Sequence, residues 1–221
     1  MPGKQLAFYF DSSSCSGCKT CQVACRDKHN LGKGILWRRV YEVVGGEWEK
    51  RGEAWVPDIF SYYVSMACNH CMDPICLKSC PNAAIVKDQR GLVLVDAGRC
   101  MGCRYCEWTC PYGALFYDWE KGIMTKCTMC SDYTSRGKVP ACVSACPMRV
   151  LDAGPLEKLK EGSGSVLSED PGGAGGTAMF PLPDPAITRP ALVINPHPHS
   201  LKAAKGQLKI NNREEVRHGQ Q

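Results

Sequence analysis

Residues 100–111 read CMGCRYCEWTCP, four cysteines with gaps of two, two and three residues and a proline after the last. Cysteines two residues apart on a tight loop can direct successive sulfurs to three corners of one 4Fe-4S cluster. The fourth cysteine is expected to open a short helix and to point toward a second cluster. The final proline fixes φ and suits a turn. This stretch therefore predicts a protein built around iron-sulfur clusters.

The same pattern extends over most of the chain, since 16 cysteines among 221 residues fall into four runs of four. The first and third runs are C-x2-C-x2-C-x3-C, the second is C-x2-C-x4-C-x3-C and the fourth is C-x2-C-x11-C-x3-C. The last three runs end in Cys-Pro. The runs are Cys15, Cys18, Cys21, Cys25; Cys68, Cys71, Cys76, Cys80; Cys100, Cys103, Cys106, Cys110; and Cys127, Cys130, Cys142, Cys146.

Other uses of cysteine fit these runs less well. A disulfide framework suits a smaller secreted chain and would strain cysteines two residues apart. The fourth run taken alone resembles a zinc ribbon, but the other three lack the paired layout of a zinc ribbon. His70, between Cys68 and Cys71, supplies half of a Rieske motif whose second half is absent, so we expect it to hydrogen-bond beside a cluster. The C-x3-C-x2-C motif of radical enzymes does not occur.

The charge balance depends on the state of the cysteines. The formal net charge is +5 with the cysteines counted as neutral thiols. Four clusters, each carrying roughly −2 with its thiolates, would bring the net charge to about −3, which argues against nucleic-acid binding. Eight cations close to cysteines in the sequence are predicted to offset the cluster charge: Lys19, Arg26, Lys28, Lys78, Arg99, Arg104, Lys126 and Arg149.

Hydropathy predicts that the chain does not itself span a membrane, because no segment approaches eighteen uninterrupted apolar residues. Residues 1–10 have no apolar core of a secretion signal, so we expect folding and cluster loading in the cytoplasm.

Short strands, hairpins and helices are predicted between the cysteine runs. The predicted strands and helices are Leu6 to Asp11, Thr20 to Lys28, Trp37 to Val44, Tyr62 to Met66, Ala84 to Val86 with Leu92 to Val95, Ala114 to Tyr117 with Ile123 to Lys126, and Leu156 to Glu161. The aromatic residues between the first two runs are expected in the core. Ser163 to Asp184 has the composition of a linker. Ile187 to Ile194 is predicted to be an arm that lies across a partner subunit.

Several stretches closely resemble the iron-sulfur subunit of the dimethyl sulfoxide reductase family of molybdopterin oxidoreductases. They are Cys15 to Cys21, Arg38 to Glu42, Cys68 to Cys71, Cys100 to Cys106, Cys110 to Gly113, Met124 to Cys127, and Cys146-Pro147 followed by Arg149. The resemblance covers about residues 5 to 160, with a weaker match around Pro181 to Ile194.

The resemblance implies an α+β fold of two nested ferredoxin-like modules with a β insertion and an extended C-terminal tail. The outer module would be residues 1–30 plus 118–160, the insertion 31–61, the inner module 62–117, and the linker and tail 161–221. Spacing alone permits sequential or nested pairing of the runs; the resemblance implies the nested form. Its four ligand sets are Cys15, Cys18, Cys21, Cys146; Cys127, Cys130, Cys142, Cys25; Cys68, Cys71, Cys76, Cys110; and Cys100, Cys103, Cys106, Cys80.

Cys103 bears on the cluster type, because related nitrate reductase subunits carry tryptophan at that position and hold a three-iron cluster there. With cysteine, the resemblance implies four 4Fe-4S clusters. The end of the first run, Cys25-Arg26, departs from the Cys-Pro pattern.

The function that the resemblance implies is electron transfer without a catalytic site. The partners would be a molybdopterin catalytic subunit, which reduces an acceptor such as dimethyl sulfoxide, and a quinol-oxidising membrane anchor. The chain would thus belong to a complex peripherally associated with a membrane. Two alternatives stay open: a freestanding polyferredoxin that shuttles electrons between soluble enzymes, and a zinc-stabilised interaction module.

Overall fold

In a computed structural model of the chain, residues 5–161, 179–202 and 208–216 are described, and they form a mixed α/β fold of short elements. The strands are β1 Leu6–Asp11, β2 Arg39–Gly45, β3 Trp48–Arg51, β4 Ala54–Pro57, β5 Phe60–Met66, β6 Ile85–Lys87, β7 Val93–Val95, β8 Leu115–Asp118, β9 Ile123–Lys126, β10 Leu151–Pro155, β11 Leu192–Asn195 and β12 Lys209–Ile210. The helices are α1 Thr20–Lys28, α2 Ile75–Lys78, α3 Tyr105–Thr109, α4 Ser131–Thr134, α5 Ala141–Ser144, α6 Leu156–Glu161, α7 Pro198–Lys202 and α8 Arg213–Val216. In the described ranges no helix combines the length and apolar character needed to cross a lipid bilayer.

The local elements predicted between the cysteine runs are confirmed. β1, α1 and α6 have the predicted bounds. β6 pairs with β7 and β8 with β9, each pair antiparallel. The turns of these hairpins contain Gly91 and Gly122, whose φ angles are 79° and 67°, a conformation that glycine adopts without strain.

The first sheet brings distant parts of the chain together. β1 lies in its centre, antiparallel to β10 and parallel to β11. Ala7, Phe8 and Phe10 of β1 are all at most 2% exposed, as expected for a strand covered on both faces. The residues before the first cysteine run are therefore held against those that follow the last run.

The second sheet is built on the insertion between the first two runs. β2 pairs with β5 over seven residues, from Arg39 opposite Met66 to Gly45 opposite Phe60, and β12 pairs with the other edge of β2. Tyr62 of β5 is 2% exposed and lies in the core. The hairpin β3–β4 carries Trp48 and Trp55, which are 55% and 62% exposed. The prediction that the insertion aromatics lie in the core is wrong for these two residues, because their hairpin extends away from the sheet.

Cysteine sulfurs form part of the largest hydrophobic core. Five buried cysteines pack in it with side chains such as Phe10, Val40 and Val64; they are Cys21, Cys68, Cys127, Cys142 and Cys146. A smaller core around Ile85 and Leu115 contains Cys106, with four further cysteines packed against it. Both cores are therefore built partly of sulfur, in a chain with only 5 Phe and 5 Trp.

The predicted arm toward a partner subunit is wrong. Ile187 to Ile194 includes the start of β11, and Leu192, Val193 and Ile194 are at most 3% exposed against their own chain. The apolar run is a strand of the first sheet because β1 offers it an edge with matching hydrogen-bonding groups. Residues 163–178 of the predicted linker lie outside the described residues.

We expect Ile194→Ala to destabilise the protein by about 2–4 kcal/mol, because it removes a fully buried side chain from the first sheet. In a chain of this size this loss lowers the melting temperature by about 4 to 16 °C. Circular dichroism of the anaerobically purified protein during heating measures the change. Ile187→Ala is the matched control, since Ile187 is 46% exposed and its truncation should leave the melting temperature nearly unchanged. Equal effects of the two substitutions would contradict burial of β11.

Candidate iron-sulfur sites

The four cysteine runs share one backbone conformation. In each run the residue just before the second cysteine has a positive φ: 68° at Gly17, 43° at His70, 70° at Gly102 and 54° at Met129. After the three Cys-Pro pairs the conformation recurs two residues beyond the proline, with φ of 47° at Ala83, 54° at Gly113 and 54° at Arg149. The repeated sequence spacing thus produces a repeated loop that turns successive sulfurs inward.

A helix begins one residue before the third cysteine of each run, whereas the general spacing pattern predicted that a helix begins at the fourth cysteine. Cys21, Cys76, Cys106 and Cys142 each occupy the second position of their helix, which is α1, α2, α3 and α5 respectively. In the last three runs the fourth cysteine follows the helix. The proline after that cysteine prevents the helix from continuing. The first run has Arg26 in place of proline, so α1 continues to Lys28 and keeps Cys25 within it.

One cavity joins the second and third runs. About 300 Å³ of space, partly open to solvent, is lined by Cys80 together with Cys100, Cys103 and Cys106. Burial, followed by the charges of the other three thiols, raises the pKa of Cys106 to about 12. A sulfur of the second run therefore lies among three sulfurs of the third.

A second cavity joins the first and fourth runs. About 310 Å³ is lined by Cys15, Cys18, Cys21 and Cys146. Burial raises the pKa of Cys15 to about 11, and the neighbouring thiols of this cavity contribute to the increase. The first run thus meets the last cysteine of the chain rather than the next run in sequence.

The remaining eight cysteines form two further groups of interacting thiols. Burial raises the pKa of Cys25 above its ordinary value, and the thiols of Cys127, Cys142 and Cys130 raise it further. Burial likewise raises the pKa of Cys76, with further contributions from Cys68, Cys110 and Cys71.

The structure does not support the zinc or disulfide alternatives. All sixteen cysteines are free thiols. In the described part of the chain, no three His, Cys, Asp or Glu side chains are grouped closely enough to hold a single metal ion. Cys146, which would complete a zinc ribbon, lines the cavity of the first run instead. Each of the two cavities is instead lined by three cysteines of one run and one of another, which is the crossed arrangement in which ferredoxins hold 4Fe-4S clusters.

Backbone donors point at several of the sulfurs. Backbone N–H groups donate to Cys80 Sγ from Ala84 at 3.2 Å, to Cys127 Sγ from Met129 at 3.3 Å and to Cys68 Sγ from His70 at 3.4 Å. Such hydrogen bonds stabilise thiolate ligands and tune the reduction potential of a cluster.

His70 is placed for the hydrogen-bonding role that the sequence predicted. It is fully buried, and its Nδ1 accepts a hydrogen bond from Val93 N at 3.0 Å. Burial, with the nearby charges of Lys126 and Lys87, holds the pKa of His70 well below its ordinary value, so the ring is neutral. Its proton therefore resides on Nε2, which finds no acceptor among the described residues.

Most of the cations predicted to offset cluster charge instead form ion pairs with carboxylates. The pairs are Lys19 with Glu215, Lys28 with Asp132, Lys78 with Asp73, Arg99 with Asp96, and Arg104 with Glu107. Lys126 alone among the eight is buried, at 2% exposed, and its Nζ donates to Cys127 O at 3.0 Å. The prediction holds for two of the eight, because the charge of Lys28 opposes the rise that burial causes in the pKa of Cys130 and the charge of Lys126 does so at Cys76 and Cys127. For the others, proximity to cysteine along the chain does not place a long side chain in the interior.

Two buried arginines were missed by the sequence analysis. Arg38 and Arg39 are 2% and 4% exposed. Arg39 Nη2 donates to Tyr112 O at 2.5 Å. The sequence signal for them is a pair of adjacent arginines within the strand-forming segment from Ile35 to Val44. Adjacent residues of a strand point to opposite faces, so both arginines are not expected at the surface.

Comparisons with known proteins found a matching family model and several relatives. A family model described as a 4Fe-4S dicluster domain matches residues 59–156. The protein is 43% identical over 212 residues to YnfG of Escherichia coli strain K12, a probable anaerobic dimethyl sulfoxide reductase subunit, covering 96% of this protein and 98% of the relative. It is 42% identical over 212 residues to the B subunit of anaerobic dimethyl sulfoxide reductase from the same strain, with the same coverage. The corresponding B subunit of Haemophilus influenzae is 42% identical over 214 residues, covering 96% of this protein and 100% of the relative.

We expect Gly102→Ala to lower the iron content by about four irons per chain. Gly102 has a φ of 70°, and a Cβ there would overlap the carbonyl oxygen of Gly122, so the loop bearing Cys100 and Cys103 would have to move. Iron and acid-labile sulfide assays after anaerobic purification measure the loss. Gly98→Ala on the same loop is the control, because its Cβ meets nothing closer than 3.4 Å. Wild-type iron in both variants would show that the loop does not depend on glycine.

Proposed function

The chain belongs to the family of iron-sulfur subunits of dimethyl sulfoxide reductase, and on that premise we propose that it relays electrons through four 4Fe-4S clusters. A bound 4Fe-4S cluster supplies one-electron oxidation and reduction, and the chain needs no catalytic site of its own. The observation that carries the proposal is the presence of two cavities, each lined by three cysteines of one run and one cysteine of another.

The proposal has four ligand sets, and the grouping of the sulfurs supports them. Site 1 is Cys15, Cys18, Cys21 and Cys146; site 2 is Cys25, Cys127, Cys130 and Cys142; site 3 is Cys68, Cys71, Cys76 and Cys110; site 4 is Cys80, Cys100, Cys103 and Cys106. Each site takes its fourth cysteine from a different run, which is the crossed arrangement of two-cluster ferredoxins.

These ligand sets support two nested ferredoxin-like modules. Sites 1 and 2 belong to an outer module, residues 1–30 plus 118–160, whose two parts meet where β1 pairs with β10. Sites 3 and 4 belong to an inner module, residues 62–117, and the strands of 31–61 form an insertion between the modules.

The four sites form a row. Among the causes that raise the pKa of Cys21, after burial, is the nearby thiol of Cys142, which connects site 1 with site 2. The pKa of Cys127 rises to about 12, chiefly through burial and then through Cys68, which connects site 2 with site 3. Cys76 of site 3 and Cys106 of site 4 share the smaller hydrophobic core. Electrons can therefore pass from site 1 through sites 2 and 3 to site 4.

Both ends of the row reach the surface beside exposed apolar side chains. Cys18 of site 1 is exposed, and Met148, which lines the same cavity, is 50% exposed. At site 4, Cys103 is exposed, and Tyr105 and Trp108 lie three residues apart on α3, at 52% and 80% exposure. Exposed apolar side chains of this kind are typical of surfaces that bind other proteins. A partner at each end would allow electrons to enter at one site and leave at the other.

Two partners complete the proposed complex, because the relatives are subunits of dimethyl sulfoxide reductases. One is a molybdopterin-containing catalytic subunit that reduces a terminal acceptor such as dimethyl sulfoxide, and the other is a membrane anchor that oxidises quinol. The chain then belongs to a membrane-associated complex as a peripheral subunit.

Crossed ligand sets predict which cysteine substitutions act on the same cluster. The loaded wild-type chain should contain about sixteen irons, and Cys18→Ser and Cys146→Ser should each remove the same cluster, about four irons. The double variant Cys18→Ser/Cys146→Ser should lose no more iron than either single variant. The contrasting double variant, Cys18→Ser/Cys130→Ser, should lose about eight irons. Iron assays with electron paramagnetic resonance (EPR) spectra of the reduced proteins test this. Greater loss in the first double variant would refute the crossed pairing.

Charged substitutions at the two ends should separate the two partners. We expect Trp108→Asp and Met148→Asp each to abolish co-purification of a different subunit, because a carboxylate at an apolar interface has to be desolvated without a counter-charge. Affinity purification of the complex from anaerobically grown cells, followed by identification of the retained subunits, measures the loss. Iron content serves as the control for intact clusters. A stable wild-type monomer without any large subunit would favour the freestanding polyferredoxin instead.

A further inference from the structure

Arg38 is a charged residue in the interior that has no carboxylate partner among the described residues. It lies one residue before β2 and is 2% exposed. None of the ion pairs formed within the described ranges involves it. A guanidinium keeps its charge under all ordinary conditions, and burying it without a counter-charge is strongly unfavourable. The surroundings of Arg38 must therefore supply negative charge of another kind.

Cysteine sulfurs are the source of that charge. Burial alone would lower the pKa of Arg38, but the negative charges of four neighbouring cysteine sulfurs, which are thiolates when they bind iron, raise it above its ordinary value. These cysteines are Cys142, Cys21, Cys127 and Cys25. Cys21 belongs to site 1, and the other three belong to site 2. Cys21 of site 1 and Cys25 of site 2 lie one turn apart on α1, so a guanidinium beside Cys21 is close to both sites.

The chain holds this guanidinium in one place. Arg38 Nη1 donates to Ser65 Oγ at 3.1 Å and to Ser65 O at 3.4 Å, and Ser65 Oγ lies 3.3 Å from Cys21 Sγ. The ring of Phe8 covers one side, with the guanidinium carbon 4.7 Å from the ring centroid. Arg38 Nε is buried and has no hydrogen-bond partner among the described residues. One donor thus remains for an acceptor that the described residues do not supply, and an inorganic sulfide or cysteine sulfur of a bound cluster is such an acceptor.

We propose that Arg38 is a positioning residue for electron transfer whose fixed charge raises the reduction potentials of sites 1 and 2 together. This rests on the proposed function, since it requires a cluster at each of these sites. Passage of one electron between the sites adds one negative charge at one and removes one from the other, and no bond forms or breaks. A cation in a poorly polarisable interior stabilises the reduced, more negative form. Because Arg38 interacts with both sites, its charge stabilises the electron at site 1 and at site 2 alike. The reduction potentials of the two sites therefore stay close.

The test is an EPR-monitored redox titration of the full chain, purified anaerobically with the subunits that it retains and reduced stepwise with dithionite. Signals of sites 1 and 2 are assigned as those lost in Cys18→Ser and Cys130→Ser. In Arg38→Gln we expect the equilibrium constant for reduction to fall at least tenfold at both sites, about 59 mV for a one-electron couple. Sites 3 and 4 should change less than threefold. Arg38→Lys, which keeps the charge, should restore most of the loss.

Arg149→Gln is the matched control. Arg149 is three residues from Cys146 in the sequence but exposed, so removal of its charge should change the potential of site 1 less than threefold. A shift at only one of the two sites in Arg38→Gln, equal shifts at all four, or equal effects of Gln and Lys would overturn the proposal. Wild-type protein that lacks iron would instead overturn the proposed function, and the iron assay distinguishes the two failures.

If the Arg38→Gln variant does not bind its clusters, the Ser65→Asp variant provides a second test of the proposal. This substitution leaves the arginine in place and puts a carboxylate beside its guanidinium, since Ser65 already accepts a hydrogen bond from it. The same two sites should then become harder to reduce by at least tenfold. Unchanged potentials at sites 1 and 2 would show that the charge of Arg38 does not control them.

Discussion

Negative charge on closely grouped cysteine sulfurs, held away from water, is the constraint on which this fold depends. Burial raises the pKa of Cys71, Cys106 and Cys127 to about 12, so that as free thiols they would be protonated near neutral pH. Iron binds the thiolate, and its binding must therefore release these protons as the sites form. With five buried cysteines in the main core, we expect cluster loading and folding to be coupled.

The placement of cations follows from the same constraint. Near the surface, Lys28 and Arg104 pair with carboxylates and are partly screened by water, although the charge of Lys28 still opposes the rise that burial causes in the pKa of Cys130. Arg38 and Lys126 are different, because both are 2% exposed and both interact with thiols of more than one proposed site. Two buried positive charges therefore lie where the proposed sites 1, 2 and 3 meet. In a protein of this kind the number of basic residues near cysteines matters less than their burial.

The four runs are alike in local conformation and different in surroundings. The residue before the second cysteine has the same left-handed backbone in all four, yet it is glycine in two runs and His70 or Met129 in the others. Glycine occurs where a side chain would collide, with the ring of Tyr63 at Gly17 and with a carbonyl at Gly102. The two glycine-containing runs are also those whose second cysteine, Cys18 or Cys103, is exposed. The repeat therefore combines one loop design with two exposed and two more enclosed environments, as the proposed relay with interior and terminal sites requires.

The spacing of the cysteines was sufficient to predict the iron-sulfur loops, because a gap of two residues leaves few backbone conformations that turn both sulfurs to one side. Strands and hairpins such as β6–β7 were likewise predictable, since alternation and a turn glycine act over a few residues. Residue order could not decide which sulfur from a distant run lies beside each loop. Cys146 lies 125 residues beyond Cys21 in the numbering, and their segments are brought together by the pairing of β1 with β10 and the packing of α1 against α5. The interior position of Arg38 and the pairing of β11 with β1 could not be predicted for the same reason. Both depend on contacts between segments far apart in the chain. Such burial and strand pairing are properties of the packed molecule, and no local sequence pattern contains them.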